Sequence, residues 1–172
     1  MSLIRVVFVG APSTGKSTIC KALAEQYQTQ WVPEYGRYYW EEHQTDRKLT
    51  QEQLVQIAIG QREWENKAAK TANEYLFVDT EAIVTRQYAF DYYGESSTVL
   101  DDYADQSISR YDHFFLCDTD IPYESNWARS GDVHRHTFQK RLIADLDNRR
   151  IPYTIVSGSH EERMAVVLEK LR

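Results

Sequence analysis

Gly10-Ala11-Pro12-Ser13-Thr14-Gly15-Lys16-Ser17 fits the pattern G-x-x-x-x-G-K-[ST]. Each fixed position has a chemical reason. Gly10 and Gly15 permit backbone angles that a Cβ would block, so successive N–H groups can turn toward phosphate oxygens. A helix opening at Ser17 adds its N-terminal dipole and unbonded N–H groups to the same anion seat. Lys16 is long enough to reach β and γ phosphates, and the Ser17 hydroxyl is a ligand for Mg²⁺. Gly10, Ala11, Pro12, Ser13, Thr14, Gly15, Lys16, Ser17 and Thr18 therefore form a candidate seat for the polyphosphate of a nucleoside triphosphate. A glycine-rich turn that merely joins a strand to a helix is the bland alternative. The hydrophobic run before the motif and the helical spacing after it argue against that alternative. No G-x-G-x-x-G follows the first strand, which sets aside a dinucleotide fold.

Carboxylates follow two other hydrophobic runs. Asp79 ends Tyr75-Leu76-Phe77-Val78, the position of a carboxylate that holds Mg²⁺ through water at a sheet's C-terminal edge. An N-cap for the next helix, from Asp79 or Thr80, is the competing role. Glu81 either faces the same cleft or favours that helix start. Glu34 follows Trp31-Val32-Pro33, where a carboxylate can bind an acceptor hydroxyl and take its proton. Arg37 either touches phosphate or pairs with Glu34 at the surface. Tyr38, Tyr39 and Trp40 form an aromatic run that suits a flat, positively charged ring, although core packing explains any one of them as well. Arg129 and Arg135 flank Ser130-Gly131-Asp132, and two arginines on a mobile segment can close over a triphosphate. A solvated charge cluster is the plain alternative there. The turn Ser157-Gly158-Ser159-His160 is a place where backbone could hold adenine.

The elements that must position these groups alternate along the chain. Strands are expected at Ile4–Val9, Gln30–Pro33, Tyr75–Asp79, Asp112–Cys117 and Pro152–Val156. Helices are expected at Ser17–Tyr27, Arg37–His43, Thr50 to about Asn73, Glu81–Tyr93, about His134 to Asn148, and Ser159–Leu171. Thr50 with Gln53 reads as a capping box, and Gly94 as a helix stop. Strand–helix alternation without a repeat or linker implies an α/β fold: a P-loop three-layer sandwich with about five parallel strands and helices on both faces. The whole of 1–172 reads as one domain with a lid at about 119–135.

Composition narrows the partners. The chain has 172 residues, with 20 Lys plus Arg against 26 Asp plus Glu, a net charge of −6. That balance disfavours nucleic acid, whose phosphates need a basic face. No apolar run reaches membrane-span length. Cys20 and Cys117 sit in apolar segments, as two reduced core thiols of a cytoplasmic protein would. A GTPase needs N-K-x-D, and Asn66-Lys67 is followed by two alanines within an expected helix. An AAA-type motor is expected to need a longer chain. A small-molecule kinase needs a short domain, a strand-end carboxylate and a basic lid, and all three are in place.

These residues are similar to those of one known family. The chain resembles the ribosylnicotinamide kinase domain of NadR-type NAD-biosynthesis proteins. The resemblance rests on Gly10–Ser17, the box Glu34-Tyr35-Gly36-Arg37, Phe77-Val78-Asp79-Thr80, the segment from Pro122 to Arg129, and Arg135–Phe138. It implies ATP-dependent phosphorylation of the 5′-hydroxyl of N-ribosylnicotinamide, giving nicotinamide mononucleotide and ADP. It raises Glu34, Asp79 and Arg129 above their plain alternatives. Together with the motif reading, Lys16, Glu34, Asp79 and Arg129 are expected as catalytic residues, Arg37 and Arg135 as further ATP contacts, and Ser17 and Asp79 at Mg²⁺. Asn126-Trp127 stands where the family pattern carries Asp-Gly. The H-x-G-H nucleotidyl-transfer motif is absent from these residues, so a stand-alone kinase is expected, with an oligomer left open.

Overall fold

Ile4–Val9 forms β1, and its Val6, Val7, Phe8 and Val9 are fully buried. A strand of β-branched and aromatic residues with no polar alternation has to be covered on both faces. The computed structural model describes residues 2–122 and 132–172, with the side chains of all of these except Asp132 and Val133. After β1 come α1 (Lys16–Tyr27), β2 (Trp31–Val32), α2 (Tyr35–His43), α3 (Gln51–Ala69) and β3 (Tyr75–Asp79). Then follow α4 (Ala82–Tyr93), α5 (Thr98–Asp105), α6 (Ser107–Arg110), β4 (His113–Cys117), α7 (Asp132–Asn148), β5 (Thr154–Val156) and α8 (His160–Leu171).

The five strands form one parallel sheet in the order β2-β3-β1-β4-β5. Side chains of a strand alternate between its faces, and the core divides accordingly. Val7 and Val9, Leu76 and Val78, and Phe114 and Leu116 point to the layer built from α2, α3, α4, α5 and α7. Val6 and Phe8, Tyr75 and Phe77, and Phe115 and Cys117 point to the layer of α1 and α8. This is the expected P-loop sandwich, with β1 at the centre and the chain leaving it in opposite directions toward β3 and β4. Ligands bind at such a switch point, beyond the carboxyl ends of the strands.

The helix signals hold in detail. Thr50 accepts from Gln53 N–H while the Gln53 side chain accepts from Thr50 N–H, the anticipated capping box. Ser159 and Glu162 repeat the device at α8. Gly94 closes α4 at φ +73°. Boundaries shift by one to four residues: α2 begins at Tyr35 rather than Arg37, α3 stops at Ala69, α7 begins at Asp132 and β5 at Thr154. Two helices were not anticipated, α5 and α6. The first buries only Leu100 and Ala104, and the second has four residues, too few for a periodicity to show.

Gly60 in α3 illustrates how closely α2 and α3 pack. A Cβ at this position would fall 2.1 Å from the Tyr35 ring. Gly→Ala inside a helix ordinarily stabilises by about 1 kcal/mol. At Gly60 the sign should reverse, with a loss of about 1–3 kcal/mol from overpacking. Thermal melts of Gly60→Ala, and of Gly60→Ala combined with Tyr35→Ala, check this: the second substitution should remove the clash.

Candidate active site

The loop between β1 and α1 is held by bonds to its carbonyls. Gly10 and Gly15 take φ values of +150° and +85°, and Ser13 sits at +62°. A Cβ at Gly10 would lie 2.9 Å from the Cys117 carbonyl, so glycine is required by contact as well as by angle. The Lys16 ammonium donates to the Gly10 and Ala11 carbonyls, each at 3.0 Å. The Thr14 hydroxyl also donates to Ala11 O, at 2.8 Å. Ser13 O accepts from Arg135 at 3.0 Å, and Thr14 O from Arg163 at 2.6 Å. With these carbonyls taken up by donors of the protein, the loop is held in a shape in which its remaining N–H groups can serve an anion. No described side chain caps α1, and its first turn carries no acidic residue. Its leading N–H groups are thus available to a phosphate.

Asp79 ends β3, whose Phe8↔Asp79 register sets it beside the last turn of β1. It is buried and accepts from the Thr80 hydroxyl at 3.0 Å. Burial pushes its carboxyl above the ordinary value, opposed by the charge of Lys16, the Thr80 bond and the charge of Arg37. Neither Asp79 nor Thr80 caps α4. That role falls to Glu81, which accepts from Ile83 N–H at 2.9 Å and from the Ser107 hydroxyl. Glu81 therefore faces the helix start and not the cleft. Its carboxyl is pushed up to about 7 by burial, against the Ser107 and Ile83 bonds.

Glu34 precedes α2 and lines a pocket with Gly36, Gln61, Thr80, Thr85, Tyr88 and Tyr92. Gln61 ties this pocket to the sheet edge: its side chain accepts from Tyr35 N–H at 2.8 Å and donates to Asp79 O at 3.4 Å. The expected aromatic wall is distributed differently. Trp40 is buried in the core, Tyr39 stacks on His43, and the exposed Tyr38 lies edge-on to Trp64. The pocket's aromatic residues are Tyr88 and Tyr92, one turn apart on α4. Arg37 is exposed and pairs with Glu41 at 3.7 Å, the next turn of its own helix. Arg135, at the end of the expected lid, is buried on the first turn of α7 and donates to Ser13 O and Thr119 O, tying that helix to the phosphate loop. Arg129 and residues 123–131 of the expected lid lie outside the described residues. In the turn at Gly158, the N–H donates to Asp120 and the carbonyl accepts from Arg163, so both groups are engaged within the protein. Cys20 and Cys117 are buried, and burial raises both thiols, Cys117 up to about 12. Neither is a nucleophile at neutral pH.

With this geometry in place, comparison with known proteins is decisive for the family. A family model described as an AAA domain, AAA_28, matches residues 5–163. The chain belongs to this family. The NadR protein of Escherichia coli K12, a trifunctional NAD biosynthesis/regulator protein, is 29% identical over 172 residues, covering 97% of the chain and 42% of that protein. The chain thus spans about two fifths of the length of this curated relative. Crystal structures of NadR in complex with NAD and AMP-PNP, and in complex with NR, superpose with TM-scores of 0.77 and 0.75 at 23% identity. They are covered over 48% and 50% of their chains, against 98% of this one. A deoxyadenosine kinase from M. mycoides shares the fold over 98% of both chains, with a TM-score of 0.70 and 13% identity. The resemblance to NadR read from the motif residues is borne out, and the P-loop nucleoside-kinase-like fold with it.

Several residues of this AAA_28 domain's site escaped the sequence reading. Gln139 accepts from Ala11 N–H at 2.7 Å and donates to Cys117 O at 2.9 Å. Arg163 reaches Thr14 from α8. Both had a signal. Arg163 shares a four-residue stripe with buried Val167 and Leu171, and Gln139 adjoins Phe138 on the buried face of α7. A polar side chain on an apolar stripe needs a buried partner. Tyr88 and Tyr92 had none, because aromatics at helical spacing read equally well as core.

Glu81 yields a pH prediction. Its folded value of about 7 lies above its ordinary 4.5, so the folded state holds a proton that the unfolded chain has released. The resulting stability is complete below about 4.5 and is lost as pH rises through about 7. Glu81→Gln keeps an acceptor for Ile83 and Ser107 but cannot ionise. Urea unfolding in EDTA at about pH 5 and about pH 8 should show the wild type losing on the order of 2–3 kcal/mol more than the variant.

Proposed function

We propose that this domain transfers the γ-phosphoryl group of ATP to the 5′-hydroxyl of a nucleoside, with N-ribosylnicotinamide as the acceptor and nicotinamide mononucleotide and ADP as products. One observation carries the reading: the pocket holding Glu34 shares Thr80 and Gln61 with the sheet edge that presents Asp79 beside the phosphate loop. Donor seat and acceptor pocket adjoin, which is what direct transfer requires.

Lys16 uses two ammonium protons on the loop's own carbonyls and keeps a third donor for the phosphates. Together with the loop amides it stabilises charge on the moving phosphoryl group. Glu34 holds the acceptor hydroxyl and accepts its proton as the phosphorus–oxygen bond forms. Tyr88 and Tyr92 line the pocket as aromatic partners for the base of the acceptor, and a cationic ring gains most from such neighbours. A NadR crystal structure in complex with NR supports that choice of acceptor. Arg37, whose charge acts on Asp79, and Arg129 are proposed to stabilise charge on the moving phosphoryl group.

The donors for Mg²⁺ fit. Ser17 and Asp79 supply hard oxygens, and no cluster of three or more His, Cys, Asp or Glu ligands exists among the described residues. That suits an ion held by one or two protein oxygens with water and phosphate around it, rather than a resident metal. When bound, Mg²⁺ neutralises charge on the β and γ phosphates. Among the described residues no helix is long and apolar enough to cross a membrane. A cytoplasmic enzyme with small-molecule partners, rather than nucleic acid or membrane, accords with the composition.

ADP release across a panel of N-ribosylnicotinamide, deoxyadenosine, thymidine monophosphate and simple alcohols tests the proposal. N-ribosylnicotinamide should give the highest kcat/KM; a flat panel with only background hydrolysis would overturn it. Lys16→Ala should stay folded and lose about 100-fold or more in kcat, the scale of one charge-stabilising donor. Glu34→Gln should lose roughly 100- to 10,000-fold in kcat, as a missing general base does, with ATP affinity nearly unchanged. An unaltered kcat removes Glu34 from its role.

A further inference from the structure

Arg163 is a cation buried in the α8 stripe, and its guanidinium bonds to groups outside that helix. It donates to Thr14 O at 2.6 Å, to Gly158 O at 3.1 Å and to Asp118 O at 3.2 Å, and it pairs with the Asp120 carboxylate. These acceptors belong to three separate segments: the phosphate loop, the turn after β5 and the stretch after β4. Asp120 closes the ring by accepting from Gly158 N–H at 2.6 Å, and Asp118 accepts from the Ser157 hydroxyl at 2.9 Å. Burial disfavours the Asp120 anion, but bonds from Gly158 and Arg163 hold its carboxyl below the ordinary value, so the pair is ionised at neutral pH.

The position of this ring gives it a role. The acceptor pocket lies on the β3–β2 side of the loop, lined by residues that follow those two strands. The other end of a nucleotide whose phosphates sit on the loop must extend to the opposite side, over the ends of β4 and β5. That is where Asp118, Asp120 and Gly158 lie. We propose that Arg163, locked by Asp120, is a positioning residue for the nucleotide: it fixes the spacing between the phosphate loop and the β4–β5 edge on which the nucleoside end of ATP rests. The inference builds on the kinase reading only in taking the triphosphate to be on the loop. Arg163 reaches the ligand through Thr14 and Gly158, not by touching it.

A positioning role separates the two substrates. Arg163→Gln should raise KM and the calorimetric Kd for ATP roughly 10- to 100-fold, the factor carried by charge-assisted bonds. The acceptor KM should stay within about twofold, because the pocket beyond β3 is untouched. Arg163→Lys, which keeps the charge and some of the bonds, should recover part of the loss. If Arg163→Gln does not fold, Asp120→Asn reads the same split, since it leaves Arg163 in place but unlocks it. Equal rises in both KM values, or ATP constants within about twofold of wild type in a folded variant, would overturn the proposal. Wild-type protein that binds no ATP would instead sink the kinase reading itself.

Discussion

A backbone that must offer its N–H groups to an anion cannot tie them into a ladder, so it has to be held by its carbonyls. That constraint organises this molecule. The carbonyls of Gly10, Ala11, Ser13 and Thr14 are taken up by Lys16, the Thr14 hydroxyl, Arg135 and Arg163. Three of these donors are cations, and they come from α1, α7 and α8. Each packs on the sheet through an apolar stripe, so the loop's shape is set by the core and exists before any ligand arrives. Preorganised dipoles of this kind favour the bound anion without reorganisation at the moment of reaction.

The same sheet brings the second half of the site to the first. Parallel pairing of β3 with both β1 and β2 places all the relevant strand ends on one edge. Gln61 then joins the start of α2 to the end of β3, linking the segment that carries Glu34 to the one that carries Asp79. The two neighbouring acids divide the labour by environment: Asp79 lies at the strand end within the influence of the Lys16 charge, whereas Glu81 is consumed as a buried helix cap. Two residues of sequence separate a candidate metal ligand from a purely architectural group.

Much of this was legible in the residues. Strands β1, β3 and β4 announced themselves as unbroken apolar runs because both their faces are buried, and the phosphate loop because its spacing has few other uses. Thr50 marked its helix through local chemistry that needs no tertiary context. What failed depended on contacts distant in sequence. Arg135 read as part of a mobile lid because its neighbours are polar, yet its guanidinium is drawn inward by Ser13, over a hundred residues earlier. Tyr38, Tyr39 and Trp40 read as a wall because they are adjacent, but adjacent helical residues face different ways. The pocket's tyrosines instead sit four residues apart on α4, where nothing local distinguishes them from core.

The central claim is that a seat for a polyphosphate is already formed in the free protein. Isothermal titration of the wild-type chain with ATP in the presence of Mg²⁺, with no acceptor added, tests it most directly. The account predicts a single saturable site with one nucleotide per chain, and its loss in Lys16→Ala. Absence of saturable heat from the wild type, or an undiminished signal from Lys16→Ala, would contradict it.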